Sequence, residues 1–195
     1  MTQDRSNGYE SIADLFINSR GRAVNGVGTS AVRSWAKTLK SGGEALDLGC
    51  GTGIPSTMIL IEAGMKAYAV DASPSMVSDF QKNFPQVPVA CEPVEDSMFF
   101  GRVFDSILAW GLLFLLPAET QEMLIPKMAA ALKPGGRLLF TSPPVIVEWD
   151  DAMTGERSRS LGAERYKELM AGAGLSLIDE FEDEGENHYY HAIRL

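Results

Sequence analysis

Short apolar runs alternate along this chain with stretches whose apolar residues recur every three or four positions. That alternation predicts a parallel sheet flanked by helices. Five runs have the length and closure of buried strands: Ala45, Leu46 and Leu48, then Lys66–Asp71, Val87–Cys91, Phe104–Trp110 and Arg137–Thr141. Helical stretches follow them. One begins at Ile54 with Pro55 in its first turn, where a missing N–H costs nothing. The next opens on Ser73-Pro74 and runs to about Asn83. Pro117–Leu132 holds Pro126, which predicts a kink or an irregular first half, and Ser160–Ala173 is the last helix. Ahead of the first strand, Tyr9–Asn18 carries Ile12, Leu15 and Phe16 at helical spacing, and Val32–Leu39 carries Val32, Trp35, Ala36 and Leu39 on one face. Pro143–Arg159 reads as an irregular segment. Leu175–Phe181 and His188–Leu195 read as a hairpin around an acidic turn.

The chemistry concentrates where the first strand ends. Asp47 is followed by Gly49, Gly51 and Gly53 on alternate positions and then by a helix start. Glycines admit a ligand to the backbone where a Cβ would collide, and a helix N-terminus offers unpaired N–H groups. The dinucleotide fingerprint G-x-G-x-x-G/A does not fit, because the sixth position is Ile54 or Ser56. Asp47-Leu48-Gly49-Cys50-Gly51-Thr52-Gly53 instead resembles the D-x-G-x-G-x-G motif of class I S-adenosylmethionine-dependent methyltransferases. Val70-Asp71-Ala72-Ser73-Pro74 is similar to that family's second motif, and Phe104-Asp105 and the run Leu132-Lys133-Pro134-Gly135-Gly136 are also family-like.

The resemblance implies a doubly wound α/β fold: a seven-stranded, mostly parallel sheet with an antiparallel last strand and helices on both faces. It implies one domain, a helical cap over 1–43 and a Rossmann-like core over 44–195. The cofactor is expected to be S-adenosyl-L-methionine, held by Asp47, Gly49, Cys50, Gly51, Gly53, Asp71, Ala72, Val94, Glu95 and Trp110. Asp71, 18 residues past Gly53, would take the ribose hydroxyls. The adenine loop departs from the family, with Pro93 where an Asp is expected. The backbone N–H of Val94 and the carboxylate of Glu95 or Asp96 are then the remaining contacts. Trp110, at the end of the fourth strand, would wall the methyl group.

Composition narrows the acceptor. The chain has 195 residues and a net charge of −9, which argues against a nucleic-acid partner. The expected acceptor is a small molecule with a nitrogen or oxygen nucleophile, the alternatives being a non-catalytic cofactor-binding sensor or regulatory subunit and a protein methyltransferase. The expected assembly is a monomer or homodimer. No run approaches the length of a membrane span, Cys50 and Cys91 form no metal or disulfide pattern, and a cytoplasmic location with no bound metal is expected. A methyl on a sulfonium is already activated, so a general base is needed only for a protonated acceptor. The candidates are His188, Tyr9 and Glu148, with His188 preferred because its ordinary pKa lies nearest neutrality.

Overall fold

The computed structural model describes residues 4–195. Its centre is β1 (Glu44–Leu48), whose last four residues are all buried. Parallel to it lie β2 (Lys66–Asp71) on one side and β4 (Phe104–Ala109) on the other. Beyond them come β3 (Val89–Cys91) and β5 (Leu132–Thr141). Two later strands, β8 (Leu175–Glu182) and β9 (His188–Arg194), complete a seven-stranded sheet of order β3-β2-β1-β4-β5-β9-β8. Only β9 runs against its neighbours, as the sequence led us to expect. The strand order reverses between β1 and β4, and in such sheets the carboxyl ends diverge there to leave a crevice.

Helices cover both faces. On one side α5 (Ala118–Ala130) and α6 (Ala163–Gly172) bury Leu124, Ile125, Met128, Tyr166 and Met170 against β4, β5 and β9. On the other, α2 (Thr29–Ala36) packs Val32 and Trp35 with Ile59 and Leu60 of α3 (Ser56–Glu62). The helix α4 (Pro74–Asn83) begins as expected: the Ser73 side chain accepts the Met76 N–H at 3.2 Å, and Pro74 occupies the first turn. The short α1 (Ala13–Ser19) buries Ala13 and Ile17 beside Met76 of α4. Pro126 sits inside an unbroken α5, and the irregular part is a 3-10 turn ahead of it, Leu113–Leu115.

One expectation is corrected. Pro143–Arg159 is not irregular: β6 (Ile146–Asp150) pairs with β7 (Arg157–Leu161) as an antiparallel hairpin above the sheet's carboxyl edge. Its root is a buried polar knot. The Tyr166 hydroxyl donates to Gln121 Oε1 at 2.5 Å and accepts from Ser142 Oγ at 2.7 Å and from the Leu161 N–H at 3.1 Å. The Gln121 amide donates to the Arg159 carbonyl at 3.1 Å.

Tyr166→Phe strands three buried partners and should destabilise by about 1–3 kcal/mol. Tyr190 makes the control, because its hydroxyl is buried without a partner. Tyr190→Phe should be neutral or stabilising. Urea denaturation of both variants checks the pair, and equal losses would show that the knot contributes nothing specific.

Candidate functional site

The Gly49–Gly53 turn is pinned at each end. Asp47, 1% exposed, accepts the Ser56 and Thr57 hydroxyls on Oδ2 at 2.7 and 2.5 Å, so the end of β1 is tied to the start of α3. The N–H groups of Gly49 and Cys50 both donate to the Val70 carbonyl at 2.9 and 3.2 Å, tying the turn to β2. Across it, Asp71 accepts the Gly51 N–H at 2.7 Å on one oxygen and the Ser73 N–H at 2.9 Å on the other.

The three glycines all have positive φ, but their surroundings differ. A Cβ on Gly53 would lie 2.6 and 2.7 Å from the rings of Phe84 and Phe80, so its absence serves packing. A Cβ on Gly49 would lie 3.0 Å from Leu112. At Gly51 the nearest atom would be Phe16 Cε1 at 3.9 Å, so this glycine faces open space beneath an aromatic ring.

Two carboxylates flank that space. Burial pushes Asp47 up to about 6 against the pull of its two hydroxyl donors, with the Asp71 charge adding to the rise. Burial also raises Asp71, opposed by the Ser73 and Gly51 N–H groups and aided by the nearby charge of Glu10. Glu10 reaches in from the N-terminal segment and accepts from the hydroxyls of Ser73 and Ser75 and from the Ser75 N–H. Negative charge held in a poorly solvated place favours a bound cation or a hydrogen-bond donor.

The remaining candidates fall in varied places. The Cys50 side chain packs with Ala69 and Phe80, where burial drives its thiol up, so only its backbone belongs to the turn. Ala72 follows Asp71 at the mouth of the turn, half-buried. The Val94 carbonyl takes the Lys127 ammonium at 2.9 Å, while its N–H has no partner among the described residues. Glu95 holds Arg5 at 2.7 Å. The indole of Trp110 and the Tyr189 hydroxyl converge on Gly28, where an added Cβ would meet them at 2.8 and 2.4 Å. Trp110 thus packs toward α2 and β9.

The proposed bases are relocated. Glu148 is exposed on the outer face of β6, opposite Arg159 at 3.8 Å, because strand alternation turns it away from Trp149. His188 lies between Glu180 at 3.2 Å and Glu182 at 3.5 Å, on the β9 face shared with Tyr190 and α6, away from the glycine turn. Tyr9 does approach the site, with its hydroxyl 3.5 Å from Asp151. Burial and then that carboxylate push it up to about 12, which keeps the phenol protonated at neutral pH, a hydrogen-bond donor and not a base.

A path of side-chain contacts, joined by short stretches of chain, leads away from the glycine turn and back to it. From Gly51 it passes to Phe16, then to Tyr9 at 5.7 Å between ring centres, and on to Asp151. Trp149, two residues before Asp151, packs on Phe114 at 5.6 Å. Phe114 belongs to the 3-10 turn after β4, and the adjoining Leu112 returns to Gly49. Phe16, Phe114, Trp149 and Asp151 were not singled out as site residues from the sequence. The aromatic spacing Tyr9–Phe16, two turns of a helix, was the available signal. Among the described residues no cluster of His, Cys, Asp and Glu is suited to a metal ion, and no helix is long and apolar enough to cross a membrane.

Comparison with known proteins agrees with this geometry. Residues 45–136 match a family described as a methyltransferase domain. The chain is 39% identical over 98 residues to the cypemycin N-terminal methyltransferase of a Streptomyces species, covering 49% of this chain and 40% of that protein. It is 30% identical over 154 residues to the ribosomal protein L11 methyltransferase of Thermus thermophilus, covering 77% and 52%. The chain thus spans about half the length of these curated relatives. Magnesium protoporphyrin IX methyltransferase from Synechocystis, solved with bound S-adenosylmethionine, shares the fold with a TM-score of 0.69 at 17% identity, covering 95% and 97% of the two chains.

The contrast among the glycines is testable on the protein alone. Gly51→Ala should cost about 1–2 kcal/mol, the penalty of a left-handed backbone with a Cβ. Gly53→Ala adds overlap with Phe80 and Phe84 and should cost a further 1–3 kcal/mol or about that. Denaturation midpoints would measure both, and equal losses would refute the distinction.

Proposed function

We propose that the chain is a class I S-adenosylmethionine-dependent methyltransferase and that it transfers the methyl group of S-adenosyl-L-methionine to a nitrogen or oxygen of a small molecule. The match of residues 45–136 to a methyltransferase domain supports the reading. The observation that carries the reading is Gly51: its missing Cβ faces open space, and its N–H is held by the half-buried Asp71, whose pKa, like that of the buried Asp47 at the foot of the turn, is raised. The residues present fit the cofactor. Asp71 keeps a second lone pair on each oxygen for the ribose hydroxyls. Asp47 leaves Oδ1 without a hydrogen bond among the described residues, suited to help hold the methionine ammonium. The unpartnered Val94 N–H suits an adenine ring nitrogen. The backbone of Cys50 and Ala72, with Gly49 and Gly53, shapes the cradle, and Glu95 closes it through Arg5.

The cofactor supplies a methyl already activated on a sulfonium, ready for in-line displacement. What the chain contributes is position and exclusion of water. The circuit Phe16–Tyr9–Asp151–Trp149–Phe114 forms the wall against which an acceptor would be oriented. It is mostly aromatic with one carboxylate, which favours a compact, partly apolar acceptor with a polar handle. Tyr9, as a donor, and Asp151, as an acceptor, are the groups that would fix that handle. His188 and Glu148 take no part. The N-terminal segment, through Phe16 and Glu10, serves as the cap.

Two measurements test the reading. Calorimetry should show binding of S-adenosylmethionine and of its demethylated product, and none of NAD. Asp71→Ala should weaken that binding by about 2–4 kcal/mol without unfolding the protein. Incubation with labelled cofactor and pools of small amines, phenols and peptides should then give label in a small molecule. Label only in peptides would shift the acceptor class, and binding without transfer to any pool would favour a non-catalytic sensor.

The pH dependence has a definite sign. Asp47 ionises near 6, above its unfolded value of 3.8, so between those values the native state holds a proton that the unfolded chain has lost. Stability therefore falls as pH rises through about 6. An ammonium beside Asp47 favours the carboxylate. Cofactor affinity should rise with pH up to about 6 and level off above it. Calorimetric titrations on both sides of that value check this, and Asp47→Asn should flatten the profile.

A further inference from the structure

Thr52 stands between Gly51 and Gly53 and is 1% exposed. Its hydroxyl bonds outside the turn, donating to the Gly21 carbonyl at 2.5 Å. A carbonyl only accepts, so the hydroxyl hydrogen is committed to Gly21. The same oxygen takes the Ile54 N–H at 3.4 Å, and the Thr52 carbonyl accepts from the Asn83 amide at 3.1 Å. One residue of the glycine turn is thereby joined to the segment after α1 and to the last residue of α4.

Gly21 is shaped for this contact. A Cβ there would lie 2.8 Å from Thr52 Cγ2 and 2.9 Å from the Ile17 Cα, so a side chain would force the two segments apart. The N–H groups of Arg20 and Gly21 both donate to the Phe16 carbonyl, at 2.8 and 2.9 Å, and close the end of α1. The Phe16 ring in turn is the nearest group to the missing Cβ of Gly51. The path from Thr52 through Gly21 to Phe16 therefore returns to the residue beside Thr52, and it fixes the height of the ring over the open space. The polar contacts of the N-terminal segment also differ in burial. The Thr52 hydrogen bond is buried, those of Glu10 and Tyr9 are half-buried, and those of Arg5 are exposed. Losing the buried one strands an enclosed carbonyl, which costs more than losing a solvated pair.

We propose that Thr52 is a positioning residue for the cofactor: through Gly21 it holds Phe16 and the end of α1 in place over Gly51, so that the cofactor meets a cover already ordered. This rests on the methyl-transfer reading of the same turn. A cover ordered in advance spares binding the entropy of ordering it. Without the Thr52 hydroxyl, binding must supply that order, and affinity falls. The effect acts through the cover and not through the floor, because Asp47, the Val70 carbonyl and Asp71 hold the turn without the Thr52 side chain.

Three variants separate the hydroxyl from the shape around it. Thr52→Val keeps the shape and removes the donor, Thr52→Ser keeps the donor, and Gly21→Ala pushes the partner away while leaving Thr52 intact. Calorimetry with S-adenosylhomocysteine, which cannot react, should show binding weakened by about tenfold in Thr52→Val and in Gly21→Ala, the worth of one buried hydrogen bond. Thr52→Ser should restore affinity to within about threefold. In the ligand-free protein, hydrogen exchange at the amides of residues 16–21 should be about tenfold faster in the two weakened variants, with β1 and β4 unchanged. Should Thr52→Val fail to fold, Gly21→Ala carries the same test. Unchanged exchange over residues 16–21 would overturn the proposal. So would unchanged affinity in the weakened pair, or a serine variant as impaired as the valine one. Absence of binding by the unaltered protein would overturn the methyl-transfer reading and this proposal with it, whereas binding that every variant shares unchanged overturns this proposal alone.

Discussion

Asp47 takes the hydroxyls of Ser56 and Thr57 into one oxygen, which ties the end of the most enclosed strand to the first turn of the helix that follows. The intervening turn cannot relax away from the switch between β1 and β4. The Val70 carbonyl and the Asp71 carboxylate fix its other side. Burying Asp47 opposes ionisation, as its rise to about 6 records, and two neutral hydroxyl donors only partly offset that cost. A backbone held this firmly keeps Gly51 at positive φ with open space before it. The circuit of side chains above the turn has a fixed floor for that reason.

The central architecture was legible because its signals are local. β2 and α4 have the bounds read from Lys66–Asp71 and Ser73-Pro74, since a closed apolar run and a capping serine determine each of them over a few residues. The β6–β7 hairpin was not legible. Its second strand, Arg157–Leu161, alternates arginine with serine, and the inward residues Ser158 and Ser160 are buried without being apolar. Hydrophobic periodicity carries no information about such a strand. Missing the hairpin also cost the site. The face turned toward Phe114 is decided by strand parity, which places Trp149 inward and Glu148 outward. The surroundings of His188 were hidden for a different reason: its partners Glu180 and Glu182 lie on the adjacent strand, and the register that brings them together is a property of the folded sheet. Asp105 shows the converse. It looked like part of a family motif, and it acts far from the site, accepting the Glu44 N–H and the Lys133 ammonium, each at 2.8 Å, below β1.

The layer above the turn is held by a different class of interaction from the floor. Residues 5–16 touch the sheet's carboxyl edge at four separated places: Arg5 on Glu95, Glu10 on Ser73 and Ser75, Tyr9 on Asp151, and Phe16 over Gly51. The Arg5 pair is solvent-exposed and screened, the Tyr9 contact is long, and Tyr9 and Phe16 are only partly buried. None of these contacts crosses the β1–β4 ladder, whose residues are almost wholly enclosed. Opening the layer breaks these contacts and the packing of Ala13 and Ile17 on Met76 but leaves the β1–β4 ladder intact, the condition under which a segment opens locally without global unfolding. The floor, by contrast, moves only if Asp47 is released or β1 leaves the sheet. A rigid turn beneath a separately fastened cover gives access to Gly51 without loss of the geometry around it, and that separation follows from which contacts cross the central ladder and which do not.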